Sequence, residues 1–202
     1  MINKELETKQ KIFEAAEEEF LEKGYGNAKM MAIAKRAGVS HSMLHYHFQS
    51  KKNLFQMIFE QKIQTLSQQF EGISEQQLSF TDAIKFLIER QFDFFAQNPR
   101  LPLFVMNEII SNKKNFNLII KVLGPKTLEI FEMFHKMFDD EIEKGAICTM
   151  KFTQLMMNIF SLNVSTFLVL PLFEKIIPNF SNEALKERRE SNVQFIINGL
   201  KP

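Results

Sequence analysis

The sequence predicts an all-α protein: an N-terminal trio of helices arranged as a helix-turn-helix, joined by a fourth helix to a larger helical body. Three observations predict it. Glycine and proline are scarce, 7 and 6 in 202 residues, so few positions interrupt a helix. Apolar residues recur at spacings of three and four along the chain, the period of helices buried on one face, and strand-type alternation is nowhere sustained. The third is a short turn, "AGVS" at 37–40, between two eight-residue-scale amphipathic stretches.

Taken in order, Ile12, Phe13, Ala16, Phe20 and Leu21 mark a first helix ending near Gly24, a C-cap residue. Met30, Ile33, Ala34 and Ala37 mark a second, stopped by Gly38. Leu44 and Phe48 anchor a third. Ser50 is placed to cap a fourth, about 51–70, carrying Leu54, Phe55, Ile58, Phe59, Ile63, Leu66 and Phe70. After a break near Gly72–Ser74, longer helices are expected at about 79–97, closed by "NPRLP", at 101–112, at 117–143 with a possible interruption at "GPK", at 152–170 and at 181–199. The implied division is a domain at 1–50 and a second at 51–202, with the helix 51–70 connecting them.

Bulk composition is that of a globular protein, with 45% hydrophobic and 24% charged residues. A net charge of +1 predicts no acidic partner by itself. One cysteine, Cys148, permits no intramolecular disulfide. The N-terminus turns acidic where an export signal needs an apolar run, so a cytoplasmic protein is expected. Phe152 to Phe173 carries no formal charge and is long enough to span a bilayer. Gln154, Asn158, Ser161 and Ser165, however, form a polar stripe, with Asn163, Thr166 and Pro171 adding cost in lipid. An amphipathic helix facing protein is the reading, with no membrane partner.

Charge is sorted locally. Between Lys23 and Phe59 there is no Asp or Glu, while Lys23, Lys29, Lys35, Arg36, Lys51 and Lys52 are all cationic. The acids lie earlier, in "EAAEEEFLE" (14–22), expected to face away from any groove. A cationic segment around a helix-turn-helix is the footprint of a polyanion binder. Ala34 and Ala37 let the two helices cross closely, Val39 plugs the gap, and Ser40 caps the third helix.

Three of the four histidines fall in "HSMLHYHF" (41–48). At roughly 100° per residue, His41 and His45 share a strip while His47 lies about 160° from His45, so the three cannot converge on one metal. With no Asp, Glu or Cys beside them to complete a shell or a catalytic relay, no metal, no cofactor and no enzyme activity is expected. The third helix instead shows an outward face of Ser42, His45, Tyr46 and Gln49, flanked by His41 and Met43. These can meet phosphate or base edges, and Met43 a thymine methyl. Lys29, Lys51 and Lys52 are expected to grip phosphate. Without an arginine on that face, a site rich in A·T pairs is expected.

Here "KQKIFEAAEEEFLEKGYGN…MMAIAKRAGVSHSMLHYHFQSKKNLFQMI" resembles the DNA-binding domain of the TetR family of bacterial transcriptional regulators. The likeness runs through the "GY", "IA..AGVS", "L..HF" and "SK..LF" elements of about the first 60 residues. It implies a homodimer that places its third helices in successive major grooves of a palindromic double-stranded DNA operator. It also implies a C-terminal domain that dimerises and binds a small effector, releasing the DNA. The function expected is therefore a DNA-binding transcriptional regulator acting as a repressor.

The sequence departs from the family pattern at the helix-2 threonine, absent at Ala28 and Lys29, which leaves Asn27 as the candidate cap. It departs again on helix 3, where the family's "GTLYxYF" is "SMLHYHF": His45 and His47 stand for tyrosines and Tyr46 lies between them.

The C-terminal body is rich in phenylalanine and methionine, 22 and 11 in the chain, as adaptable apolar pockets are. Gln91, Asn107, His135 and Asn158 punctuate its apolar faces and, with Phe95, Phe104, Phe134 and Met157, are the candidate contacts to a neutral, hydrophobic small-molecule effector. Phe167, Leu168, Phe195 and Ile196 are the candidate dimer seam. The alternative is a protein of the same fold that has no small-molecule effector and acts through a protein partner. An all-helical enzyme or lipid carrier would need a constellation of catalytic or metal-binding groups that the sequence does not offer.

Overall fold

In the computed structural model, residues 2–70, 73, 76–111, 113–177 and 182–202 are described. The predicted break at Gly72–Ser74 lies outside them apart from Ile73, as do the predicted boundary residues Asn112 and Ser181. Among the described residues there is no strand, and nine helices follow one another: α1 (Ile2–Asn27), α2 (Met30–Ala37), α3 (His41–Phe48), α4 (Lys51–Gln68), α5 (Phe80–Gln97), α6 (Leu101–Ser111), α7 (Lys113–Glu143), α8 (Phe152–Ile176) and α9 (Asn182–Gly199).

The chain forms two compact units. Residues 1–64 and 103–122 make the first, and residues 65–102 and 123–202 the second.

In the first unit Ile12, Ala16 and Phe20 of α1, Ile33 and Ala34 of α2, Leu44 and Phe48 of α3, and Leu54, Ile58 and Phe59 of α4 are all buried, and α2 packs on both α1 and α3. Phe20 meets Phe55 edge-on at 5.1 Å, and Phe104 of α6 packs against Phe55 and Phe59. Phe20 and Phe59 are fully buried, and truncating such a ring typically costs about 3–5 kcal/mol.

The turn between α2 and α3 follows from Gly38. At φ 67° it sits in the left-handed region, where a Cβ would strain the backbone. It thereby lets Val39 N–H donate back to Ala34 O at 3.0 Å, and the Gly38 N–H to Lys35 O at 3.2 Å. Ser40 then opens α3, its Oγ accepting from Met43 N at 3.1 Å. The predicted Asn27 cap of α2 is not formed. The N-cap position belongs to Lys29, which makes no side-chain cap bond, and Asn27 Nδ2 donates to Lys23 O of its own helix.

The second unit has its core in α5, α7, α8 and α9, where Ile84, Leu87 and Ile88 meet Phe134, Phe138, Leu155, Ile159 and Ile196. α7 is interrupted at Gly124 (φ 69°) directly before Pro125, the interruption foreseen at "GPK". α8 runs through Pro171 to Ile176, six residues past the expected end at 170. It is long and apolar enough to cross a membrane by length and composition. One of its faces, with Leu155, Ile159, Asn163, Val164 and Phe167, is buried against α5 and α9.

Candidate nucleic-acid interface and ligand cleft

The outward face of α3 is built by burying Leu44 and Phe48 on the opposite side. That leaves His41, Ser42, His45, Tyr46 and Gln49 exposed, with Tyr46 at 76% and Met43 at 45%. The rings of His41 and His45 lie edge-on at 4.5 Å, the shared strip read from helical phase. His45 Nδ1 is 2.9 Å from the Gln49 carbonyl. A carbonyl only accepts, so Nδ1 carries a proton and donates, which leaves Nε2 as the ring nitrogen free to meet a partner. His45 also helps hold the C-cap, where Gln49 is drawn to φ 58°. His47, half-buried, packs beside Tyr46 and Phe48, and its Nδ1 has no hydrogen-bond partner among the described residues. Among those residues no group of three His, Cys, Asp or Glu side chains could hold a metal ion.

The cations divide into two sets. Arg36 reaches across to α1, donating to Glu18 at 3.0 Å and Glu22 at 2.9 Å, and the Glu22 hydrogen bond holds its pKa above the ordinary arginine value. Lys23 donates to Glu19 at 2.8 Å. Lys51 donates to the Gly26 carbonyl at 3.2 Å and lies 4.7 Å over the Tyr25 ring. These three brace the frame. Lys29, Lys35 and Lys52 are exposed and make no side-chain ion pair or hydrogen bond among the described residues.

Glu18, Glu19 and Glu22 of α1 neutralise part of the cationic segment, and none of them lines the groove beside α3. Glu5 and Thr8 of α1 do line that shallow groove, with Ser42, Met43, Tyr46 and His47.

In the second unit α5, α7 and α8 border a cleft of 320 Å³ with Phe70 at its rim, within the range of small-molecule sites. Leu87, Phe131, Met156, Ile159 and Phe160 supply apolar wall, and among the described residues Gln91 is one of two polar side chains lining it, with Ser161. Behind Gln91 lies a buried amide chain. Asn163 Nδ2 donates to Ile88 O and to Gln91 Oε1, each at 3.0 Å, and Asn192 Nδ2 donates to Asn163 Oδ1 at 3.0 Å. Arg189 of α9 pins α5 alongside, donating to Glu89 at 3.1 Å and Asp93 at 3.0 Å.

Residues 12–58, which build α2, α3 and most of their packing against α1 and α4, match the family model described as bacterial regulatory proteins, tetR family. Residues 12–58 thus carry a DNA-binding domain of the kind found in the TetR family. It is 27% identical over 139 residues to the HTH-type transcriptional regulator SAB2452 of Staphylococcus aureus, covering 68% of this chain and 71% of that one. It is 23% identical over 114 residues to the fatty acid metabolism regulator protein of Bacillus subtilis, covering 54% and 59%. Its fold is similar to that of the transcriptional regulator FadR from Bacillus subtilis, crystallised in complex with stearoyl-CoA, with a TM-score of 0.69, 20% identity and coverage of 95% and 98%. The protein is a DNA-binding, helix-turn-helix transcriptional regulator.

Within the chain the predicted effector contacts are dispersed. Gln91 and Met157 line the cleft. Phe95 is buried against Phe94 and Phe167, and Phe134 lies in the core. His135 is exposed, stacked on Phe152 at 4.5 Å and 3.8 Å from Asp139, and Asn158 is exposed beside the cleft without lining it. Phe104 and Asn107 belong to the first unit, Phe104 in its aromatic core and Asn107 at its surface. Asn163 and Asn192, absent from the candidate set, are the residues that orient Gln91. Of the seam candidates, Phe167 and Ile196 are buried in the unit's own core at 3% and 4% exposure, while Leu168 and Phe195 are exposed. Helical spacing alone could not tell one apolar face of α8 from the other.

Proposed function

We propose that the protein is a homodimeric repressor of the cytoplasm that binds a palindromic double-stranded operator and releases it when a hydrophobic small molecule enters the α5–α7–α8 cleft. The observation that carries the reading is the outward face of α3: a capped helix with Ser42, Met43, His45, Tyr46 and Gln49 in solvent, flanked by the unengaged Lys29 and Lys52. Ser40 and His41 lie at the helix's N-terminal turn, where free backbone N–H groups suit a phosphate, and Asn27 is exposed on the approach to α2. His45, its Nδ1 engaged by the Gln49 carbonyl, offers Nε2 to a base edge, and the face carries no arginine for a bidentate guanine contact, in keeping with an operator that lacks obligatory central guanines.

DNA recognition is assigned to residues 1–50 and effector binding and dimerisation to 51–202. The compact units cut the chain differently, because residues 51–64 and 103–122 pack with the first three helices. α4, α6 and α7 each contain a unit boundary, so a ligand-induced shift in any of them has a covalent route to the first unit.

Dimerisation is supported by the apolar surface that α8 and α9 leave in solvent. Leu168 is 37% exposed, Leu172 56% and Ile176 64%, recurring every four residues along one strip of α8, and Phe195 of α9 is 66% exposed, apolar surface of the kind that marks an interface. Phe167 and Ile196 support it from beneath. The relative named for fatty acid metabolism and the neighbour holding stearoyl-CoA make acyl compounds the first effectors to test.

The test is a mobility-shift assay on DNA upstream of the protein's own gene, repeated with an extract of hydrophobic metabolites. Binding reversed by the extract is expected. Binding that no extract reverses favours an effector-free regulator working through a protein partner, and absence of binding to any random-pool sequence overturns the DNA reading. Sedimentation of a stable monomer at micromolar concentration overturns the dimer.

A further inference from the structure

Gln91 is 7% exposed and forms part of the cleft wall. Its orientation is dictated from behind. The Ile88 backbone oxygen can only accept, so the Asn163 atom 3.0 Å from it is the amide nitrogen. The second hydrogen of that nitrogen points to Gln91 at 3.0 Å, which must therefore present Oε1. Asn163 Oδ1 is left facing Asn192, whose Nδ2 donates to it at 3.0 Å.

Asn163 and Asn192 are 0% and 1% exposed. Flipping any one amide would set donor against donor or acceptor against acceptor where no water can relieve it. With Oε1 held, Gln91 Nε2 is the atom left for the cleft, and it has no partner among the described residues.

We propose that the cleft selects apolar molecules carrying an uncharged hydrogen-bond acceptor, such as an ester, thioester or ketone carbonyl, which Gln91 Nε2 receives. The proposal rests on the reading of this cleft as the effector site. Among the described residues no cationic side chain lines the cleft, so a free carboxylate entering it would be desolvated without a counter-charge. An ammonium group would meet Gln91 donor to donor. The Ser161 hydroxyl serves either polarity and does not decide between them. Asn163 and Asn192 are positioning residues, acting through Gln91.

The experiment measures displacement of the fluorophore N-phenyl-1-naphthylamine from the full-length protein by probes of matched alkyl chain, namely methyl dodecanoate, 2-tridecanone, dodecanoate and dodecylammonium, below their micelle thresholds. The ester and ketone are expected to bind about tenfold tighter than the carboxylate and the ammonium, the effect of one well-placed hydrogen bond. Gln91→Glu keeps an oxygen for Asn163 but turns an acceptor into the cleft, and should raise the ammonium above the ketone. Gln91→Met should bring ketone and ammonium within about twofold of each other. Helical circular dichroism and melting temperature establish that each variant folds.

Equal binding of ketone and ammonium by the unaltered protein, or an unchanged order in Gln91→Glu, overturns the polarity assignment while leaving the cleft as a ligand site. Should Gln91→Glu fail to fold, an unchanged order in Gln91→Met does the same. If neither the fluorophore nor any probe binds, the effector reading itself falls, and this inference with it.

Discussion

Replacing Lys51 by methionine keeps the length of the side chain and removes its charge, and it separates two roles that the sequence alone runs together. Lys51 opens α4 beside Lys52 and was expected, like it, to grip phosphate. Its ammonium instead donates to Gly26 O at 3.2 Å and lies 4.7 Å over the Tyr25 ring, tying the start of α4 to the end of α1. On a half-buried side chain the cation–π interaction contributes about 0.5–1 kcal/mol. The hydrogen bond adds about 0.5–1.5 kcal/mol net. Lys51→Met should therefore cost about 1–2 kcal/mol, a fall in melting temperature of a few degrees for a chain of this size.

Lys52 is exposed and unengaged, so Lys52→Met should change stability by less than about 0.5 kcal/mol. On DNA the order reverses. Lys52→Met should flatten the slope of log affinity against log salt by about 0.9 for each phosphate it no longer neutralises, and Lys51→Met should leave the slope nearly unchanged. Thermal melts and salt-titrated mobility shifts on one operator measure both. Equal flattening by the two substitutions, with neither moving the melt, would refute the division of the cations into frame and interface.

Ser40→Ala removes the Oγ that accepts from Met43 N and should destabilise the first unit by about 1 kcal/mol, weakening DNA binding through loss of α3 order; a melt unchanged within error refutes it. Gly38→Ala places a Cβ at φ 67° and should cost about 1–2 kcal/mol even though nothing lies within 4 Å of that Cβ; an unchanged denaturation midpoint would show that the turn relaxes. Asn163→Leu strands Gln91 and Asn192 without their shared partner and should cost about 1–3 kcal/mol, read by urea denaturation; a stabilised variant would mean that the amide chain is dispensable to the fold.

Much of the first unit was legible because its signals are local. The Gly38 turn, the Ser40 cap and the burial of Leu44 and Phe48 depend on residues within about four positions of one another. The same reasoning placed His41 and His45 on one strip, and they lie there. It failed at Asn27 because two residues that could begin a helix look alike until the chain's approach angle is known, and Lys29 takes the N-cap. It stopped α8 at 170 because proline ends most helices, whereas the α8 backbone continues to Ile176.

The α5–α7–α8 cleft was legible only in kind. Abundant Phe and Met pointed to an apolar pocket, but of eight candidate residues only Gln91 and Met157 line the cleft. Periodicity tells which residues share a helical face and not which faces meet. The residues that give the cleft its polarity, Asn163 and Asn192, stand 72 and 101 positions from Gln91 and read in isolation as ordinary helix polars.

By itself the sequence determined the helical class, the helix-turn-helix with its glycine turn and serine cap, and the outward identity of His45, Tyr46 and Gln49, since these follow from period, steric freedom and capping chemistry within a few residues. Only the tertiary structure decided which cations remain available, because Arg36 meets Glu18 and Glu22 across 18 and 14 positions of chain and Lys51 meets Gly26 across 25. It likewise decided which way Gln91 points. An amide carries a donor and an acceptor of nearly equal size, and only the fixed carbonyl of Ile88, brought beside Asn163 by packing, chooses between them.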